Sequence, residues 1–317
     1  MRLPHSAILT VMVPLLTVAC GLLILPQQPA VQPFVPIGLW YAGPGARPPD
    51  AAAGDLDAVR VDLAAIRRAG FNAITTWIDW RVAEPARSAY AFAATERLIA
   101  AAAQVDLEVD VRLFADTPPR WSSDVAADRR RFLSDAKTRL LPVPRVMSVE
   151  LADASSPDAG AIRVGPGGRT PVEARLDFWA ALARGARRVM VIETRGGVGP
   201  AVLALGETAG IVTRNQALFG PLRPRDGGVR GVTGASGASV DVKLLETADA
   251  LMIIALNDSP APQKVTINFA ADMPEAIWQN LETGAAVHFV MGRAGPFLTH
   301  TFAPRDAMVL MIRKTLR

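Results

Sequence analysis

The spacing of hydrophobic positions changes character along the 317-residue chain. From Ile8 to Leu25 the positions are almost uniformly apolar, whereas between Ile37 and Ile192 short apolar runs alternate with stretches of helical period. Beyond Val240 the period falls to two, as it does in half-buried strands. The pattern predicts an apolar N-terminal segment, a strand-and-helix region and a strand-rich C-terminal region.

The middle region reads as alternating strands and helices. Strands are predicted at residues 37–41, 73–77, 109–114, 145–149 and 188–192. Helices are predicted at residues 55–69, 93–104 and 122–141, and a last one runs from Thr170 to Gly185. This last helix opens on the capping box Thr170-Pro171-Val172-Glu173. Such alternation is typical of a parallel α/β structure.

The C-terminal region carries seven short alternating segments between Val240 and Ile312, separated by turn residues. Their spacing predicts a small antiparallel β-sandwich. A Gly-, Pro- and Arg-rich stretch from Leu218 to Ser239 precedes them. We therefore assign residues 37–225 to the α/β domain and residues 236–317 to the sandwich.

The N-terminal apolar run follows Arg2, and no charged residue occurs between Ser6 and Pro36. The run is about as long as a membrane-spanning helix. We expect residues 1–26 to be an export signal or membrane anchor, followed by a linker at 27–36, with the rest of the chain on the periplasmic or extracellular face. The single cysteine, Cys20, excludes an intrachain disulfide and leaves lipoprotein processing open.

Charge and histidine usage narrow the functional classes. The 34 Lys and Arg nearly balance the 30 Asp and Glu, and no dense basic run with interleaved aromatic residues occurs, which argues against a nucleic-acid partner. The three histidines are His5, His288 and His300, so the α/β region has no histidine for a catalytic triad or a zinc site. Its glycine-rich stretches lack the Lys-Ser/Thr of a phosphate loop. We expect no metal and no cofactor.

Two blocks of the chain resemble the (β/α)-barrel β-galactosidases of glycoside hydrolase families 42 and 35. The first runs from Gly70-Phe71-Asn72 through Glu84-Pro85 to Tyr90-Ala91-Phe92, and it is similar to the family's second strand and loop. The second is Val149-Glu150-Leu151 with the helix from Thr170 to Ala186, and it is similar to the seventh strand and the following helix. The resemblance implies a partial TIM-type (β/α) barrel, shortened by loss of strands four to six, followed by the sandwich.

The resemblance also implies a retaining glycoside hydrolase for β-galactosides or related sugars, in which two carboxyl groups lie about 5 to 5.5 Å apart. Matched by position, Glu150 is the nucleophile. The family's general acid/base lies in an Asn-Glu pair on the fourth strand, and this sequence has no such pair. Glu193, at the end of the next strand, is a candidate substitute acid. A salt bridge from Glu193 to Arg188 or Arg195 is the alternative.

Aromatic and acidic residues near strand ends are candidates for contact with a carbohydrate substrate, by ring stacking and hydrogen bonding. They are Trp40, Tyr41, Trp77, Asp79, Trp80, Glu84, Asp116 and Trp121. The alternatives are packing for the tryptophans and helix capping or ion pairing for the carboxylates. Two rival functions stay open: a non-catalytic or degenerate carbohydrate-binding envelope protein, and a structural envelope protein. Members of the family often form trimers, so assembly into an oligomer is open too.

Overall fold

The computed structural model describes residues 34–48, 55–152, 161–234, 240–274 and 276–314. The predicted export or anchor segment at 1–26 and the linker up to residue 33 lie outside these ranges. Within the described residues, no helix combines the length and the apolar character needed to cross a bilayer.

Strands and helices alternate through the first two thirds of the chain, as predicted. The strands are β1 (Ile37–Trp40), β2 (Ala73–Asp79), β3 (Glu108–Phe114), β4 (Val146–Ala152), β5 (Ala161–Val164) and β6 (Val189–Glu193). The helices are α1 (Leu56–Ala69), α2 (Trp80–Ala83), α3 (Ala93–Ala103), α4 (Val125–Leu140), α5 (Pro171–Ala183), α6 (Pro200–Ala204), α7 (Gly206–Arg214) and α8 (Gln216–Phe219). β5 and the helices after β6 were not predicted.

Local signals explain where the helices begin and end. The Asp55 carboxylate accepts hydrogen bonds from two backbone N–H groups of the first turn of α1, and Gly70 ends that helix with a φ of 112°. The predicted capping box at Thr170 and Glu173 is confirmed, since each side chain bonds the other residue's backbone N–H. Proline at the first position of α5 fits because its missing N–H has no partner there.

The six strands form one parallel sheet in the order β4-β3-β2-β1-β6-β5. β6 lies beside β1, as the eighth strand of a full barrel would, and β5 lies beside β6 in the seventh position. β4 pairs with β3 and takes the fourth position. The prediction that Val149-Glu150-Leu151 belongs to the seventh strand is therefore wrong. The helix of the second block, α5, follows β5, so β5 is the seventh strand.

All helices that join the main core cover one face of the sheet, which we call the outer face. Alternate strand residues such as Leu39, Ile74 and Val111 point into this core. On the opposite, inner face, a separate apolar cluster contains Trp40, Trp77, Phe114, Ala152, Met190 and Ile192. The sheet is thus part of a barrel wall, helix-covered outside and lined by side chains inside.

The C-terminal region forms two antiparallel sheets. The first has the order β13-β12-β16-β10-β9-β7 and the second the order β14-β15-β11-β8. Their strands are β7 (Arg223–Pro224), β8 (Val229–Gly234), β9 (Val240–Glu246), β10 (Ala250–Asn257), β11 (Gln263–Phe269), β12 (Trp278–Asn280), β13 (Ala286–Val287), β14 (Val290–Gly292), β15 (Gly295–Phe302) and β16 (Asp306–Arg313). One core, which includes Ile253, Ile267 and Trp278, lies between the sheets. β7 and β8 fall in the stretch predicted as a domain boundary, yet they pair with these sheets.

Helix α5 joins the two halves of the fold. Every residue of β10 is buried, because one face of β10 lies in the core between the antiparallel sheets and the other packs on the core that contains α5. Arg175 of α5 donates to both carboxylate oxygens of Glu282 and to Asp306, and Trp179 Nε1 donates to Glu282 at 2.9 Å. Apolar packing and a half-buried ion network therefore both hold α5 on the first antiparallel sheet.

Candidate functional site

The inner face of the parallel sheet carries polar residues in register. The ladders align Trp40, Thr75, Asp110 and Ser148 across β1 to β4. The next inner-face residues toward the C-terminal ends of β2 to β4 are Trp77, Arg112 and Glu150. The carboxyl ends of parallel strands open at one edge, which we call the mouth, and barrel enzymes keep their active sites there.

Glu150 is an exposed carboxylate on this face. Its side chain is 52% exposed, and Arg112 Nη1 lies 2.5 Å from its Oε2 atom. The same guanidinium contacts Asp110 at 2.8 Å through Nε and through Nη2. Arg112 therefore ties the exposed Glu150 to a buried carboxylate one layer below it, which fixes the position of Glu150.

Asp110 is buried at the centre of that network. It accepts hydrogen bonds from Arg112, from Thr75 Oγ1 and from Ser148 Oγ, and Arg188 lies 3.5 Å away. These partners satisfy the carboxylate, so its role is to order the inner face. Neither Asp110 nor Arg112 was predicted as a site residue. The signal was the alternation Val109-Asp110-Val111-Arg112, which places two charges on one face of a buried strand.

Glu193 lies on the other side of the sheet from Glu150. It pairs with Val164 at the end of the β5-β6 ladder, and Val164 belongs to the outer core. Its buried carboxylate packs against Gly165 and Gly199 so closely that a Cβ atom on either glycine would collide with it. The structure does not bring Glu150 and Glu193 together on one face. The predicted alternative partner Arg188 contacts Asp110 instead.

Three of the predicted substrate contacts are buried among the helices. Tyr41 lies in the outer core and donates to Asp62 at 2.9 Å; burial, followed by the effect of Asp62, raises its pKa. Trp80 stacks on Phe132 with ring centroids 5.7 Å apart. Glu84 has no exposed side-chain surface and accepts hydrogen bonds from Trp80 Nε1, Ser88 N and Arg131 Nη2 at 2.8, 2.7 and 2.7 Å.

The remaining candidates lie at or near the mouth. Trp40 and Trp77 pack together in the inner cluster with ring centroids 6.1 Å apart, and both are nearly buried. Asp79 ends β2 and accepts the Arg81 backbone N–H at 2.8 Å as the cap of α2. Asp116 pairs with Arg129 at 2.9 Å. Trp121 donates to the Glu84 carbonyl at 2.8 Å, under the Arg131 guanidinium 5.3 Å from its ring centroid.

These positions define what the site offers chemically. On the inner face, the carboxylates nearest the mouth are Asp79 on β2 and Glu150 on β4, and strand β3 lies between them. In the part of the chain that the structure describes, no group of three or more His, Cys, Asp or Glu side chains could hold a metal ion. The arrangement offers the carboxyl groups of Glu150 and Asp79 to a ligand at the mouth.

Comparison with protein families supports the first block of resemblance. The model of glycoside hydrolase family 42, described as beta-galactosidase, matches residues 52–141. This range runs from α1 through α4 and contains the segment from Gly70 to Phe92. The resemblance to (β/α)-barrel β-galactosidases is thus confirmed for this part of the chain. A comparison with curated proteins gives no match.

Solved structures of glycoside hydrolases share the fold. A family 39 glycoside hydrolase from Bacteroides cellulosilyticus WH2 has a TM-score of 0.55 and 10% identity, over 88% of this chain and 81% of that one. An alpha-amylase from Geobacillus thermoleovorans has a TM-score of 0.54 and 10% identity, over 89% and 99%. A GH30 endoxylanase from Clostridium papyrosolvens C71 has a TM-score of 0.51 and 9% identity, over 89% and 97%. At these identities the likeness concerns the fold alone.

Proposed function

We propose that the protein is a glycoside hydrolase for β-galactosides or related sugars, with the sugar at the mouth and Glu150 touching the glycosidic bond. The observation that carries the proposal is the exposed Glu150 carboxylate on the inner face, held by Arg112, in a chain whose residues 52–141 match the β-galactosidase family. Inner-face carboxylates near the C-terminal ends of strands are where barrel enzymes perform catalysis.

The strand position of Glu150 favours one of the two carboxyl roles. β4 is the fourth strand by its pairing with β3, and in the family that strand bears the general acid/base. In our proposal Glu150 therefore protonates the leaving oxygen, in place of the nucleophilic role predicted from the sequence. β5 takes the seventh position, which bears the nucleophile in the family, and its four described residues, Ala161–Val164, include no carboxylate.

Asp79 is our proposed second carboxyl group. From the ladder register, its backbone lies two strands and two residues from Glu150, which is roughly 12 Å at ordinary strand spacing and rise. Side chains that converge over the inner face bring the two carboxyl groups closer together than their backbones. Starting from a backbone distance of roughly 12 Å, the carboxyl groups fit the separation of roughly 6.5 to 9.5 Å found in inverting enzymes better than the roughly 5 to 5.5 Å found in retaining enzymes. The proposal therefore includes inversion at the anomeric carbon, with Asp79 activating water.

Hydrolysis of nitrophenyl β-galactoside and related β-glycosides by the full chain tests the proposal. We expect Glu150→Gln and Asp79→Asn each to lower kcat about 100-fold or more, the usual effect of removing a general acid or base. Asp241→Asn, which removes an exposed carboxylate from an ion pair with Lys243 on β9, is the matched control and keeps full activity. Proton NMR of the first-formed sugar anomer reports the stereochemistry.

Two results would refute this assignment: undiminished hydrolysis by Glu150→Gln, or a retained anomer. A second candidate function is non-hydrolytic sugar binding, and the absence of a carboxylate among the described residues of β5 favours it. Binding of galactosides by an inactive but folded protein, lost in Glu150→Gln, would establish that function instead.

A further inference from the structure

A polar cleft of about 770 Å³ lies outside the helix layer, between α1 and α7 on one side and the antiparallel sheets on the other. Residues from both halves of the fold line it. The side chains that matter for the argument are Arg68, Arg175, Glu207, Arg214, Thr283 and His300. α1 and α7 cover the outer face of the parallel sheet, so the cleft is separated from Glu150 by the helices and the sheet.

Most of the charge on the sheet side of the cleft is already compensated. Arg175 bonds Glu282 through Nε and Nη2, Asp306 through Nη1 at 3.2 Å, and the Ala307 carbonyl at 2.9 Å. Glu282 also accepts the Trp179 indole N–H. This wall is therefore a closed ion network with little charge left for a ligand.

The helix wall carries charge that is not compensated. Arg68 is exposed, and its described bond is from Nε to the Ala64 carbonyl of its own helix. Arg214 is exposed at the end of α7. Among the residues the structure describes, neither guanidinium has an acidic partner. Glu207, in the first turn of α7, is the one uncompensated acid among the described lining residues. The wall has a net positive charge.

Glycines fix the two arginines on a common wall. A Cβ atom on Gly70, which ends α1, would lie 2.6 Å from the Gly206 carbonyl oxygen and 2.7 Å from the Gly210 Cα atom. A Cβ atom on Gly206 would meet the backbone of Ala69 equally closely. The helices can approach this far only because these positions lack side chains. The positions from which Arg68 and Arg214 project are therefore set by backbone packing.

We propose that this cleft binds an acidic saccharide of about two sugar rings, with its carboxylate on Arg68 and Arg214. Planar guanidinium groups bind carboxylates in a bidentate manner. The volume lies within the range of small-molecule sites, and Thr283 and the half-buried His300 offer hydrogen bonds to hydroxyl groups. The inference goes beyond the proposed hydrolase function and does not involve Glu150.

Calorimetric titration of the full chain with digalacturonic acid, lactose and sodium sulfate tests the proposal. We expect digalacturonic acid to bind, and the double variant Arg68→Gln/Arg214→Gln to weaken it about tenfold or more, because losing a charged donor has at least this effect. Arg130→Gln removes an exposed arginine with no described acidic partner from α4 and serves as the matched control. Glu150→Gln leaves this binding unchanged.

Each contrary result has a distinct meaning. Digalacturonic acid binding that the double variant does not weaken would overturn the role of the arginines. Lactose is a β-galactoside and is expected at the mouth, so lactose binding that the double variant does weaken would overturn the preference for an acidic sugar. Sulfate binding with arginine dependence, without added affinity for the disaccharide, would overturn the saccharide assignment. A loss of binding in Glu150→Gln would place the ligand at the mouth instead. Thermal unfolding of the double variant is the folding control. If its midpoint equals that of the native chain, a loss of binding does not come from misfolding.

Discussion

The buried Glu84 carboxylate gives the sharpest test of the structure, because its place after the second predicted strand made Glu84 a candidate substrate contact. Its Oε2 atom accepts the Trp80 indole N–H, and its Oε1 atom accepts the Ser88 backbone N–H and the Arg131 guanidinium. The side chain has no exposed surface. We predict that Glu84→Gln destabilises the fold and leaves sugar hydrolysis per folded molecule unchanged.

The magnitude follows from the three donors. A glutamine replaces one acceptor oxygen with an NH₂ group, so in either orientation at least one donor, Trp80 Nε1 or the pair Ser88 N and Arg131 Nη2, faces another donor. An unsatisfied buried donor costs about 1 to 3 kcal/mol, and breaking a buried ion pair costs about 3 to 5 kcal/mol. Arg131 keeps Asp128 at 2.7 Å, which places the expected loss near 3 kcal/mol.

Thermal unfolding followed by tryptophan fluorescence measures this loss where it occurs, since Trp80 and Trp121 both donate to Glu84. A loss near 3 kcal/mol lowers the unfolding midpoint by about 4 to 5 °C in a chain of 317 residues. Glu96→Gln is the control: it breaks a more exposed pair with Arg139, which is worth less than about 1 kcal/mol. A native midpoint together with lost hydrolysis in Glu84→Gln would refute the reasoning and return Glu84 to the sugar site.

Three further predictions concern other parts of the fold. Arg175→Met leaves the Glu282 carboxylate, which is 13% exposed, without its guanidinium partner, and we expect the free energy of unfolding measured in denaturant to fall by about 3 kcal/mol. The control Arg60→Met removes an exposed ion pair and is expected to change the free energy of unfolding by less than about 1 kcal/mol. Equal effects of the two substitutions would contradict the role of α5 as the link between the two halves. Gly165→Ala, at φ 95° and against the Glu193 carboxylate, is expected to lower the free energy of unfolding by about 2 kcal/mol or more, whereas Gly167→Ala, at φ 77° in open space, lowers it by about 1 kcal/mol. If the collision with Glu193 causes this difference, the difference disappears when both substitutions are made in a Glu193→Ala background. Burial lowers the pKa of His300, and the nearby Asp306 carboxylate opposes this with a smaller effect. The folded state therefore disfavours the imidazolium, so stability falls as the pH drops below about 6.5, where His300 becomes protonated in the unfolded chain. We expect His300→Gln to flatten the fall of the unfolding midpoint from pH 7 to pH 5, and an unchanged slope would contradict this.

Elements with a strong local signal could be predicted from the sequence. Asp55 and Gly70 bound α1 because a carboxylate caps the first turn and a glycine accepts the left-handed conformation at the end. The alternation of Val109 to Phe114 indicated β3 because inner-face and outer-face residues differ in polarity. These features depend on neighbours within one or two turns of the chain.

Features that depend on distant pairing could not be predicted. The place of β4 in the sheet is set by its ladder with β3, across the whole of α4, and the segment from Val146 to Ala152 does not show which neighbour it has. β5 was missed because four residues are too few to show a period. For the site, the alternation of side chains along a strand is enough to predict that Trp40 and Tyr41 lie on opposite faces of the sheet. The burial of Glu84 could not be predicted in this way, because it depends on Arg131 in a separate helix.

The double-sided burial of β10 determines how the chain comes apart. A strand covered on one face by the second antiparallel sheet and on the other by α5 loses both coverings only when the whole molecule opens. Its backbone N–H groups should therefore be among the slowest to exchange with deuterium, at a rate set by global unfolding. Cutting the chain between the two halves would leave α5 or β10 with a bare apolar face, so neither half is expected to refold as an independent module.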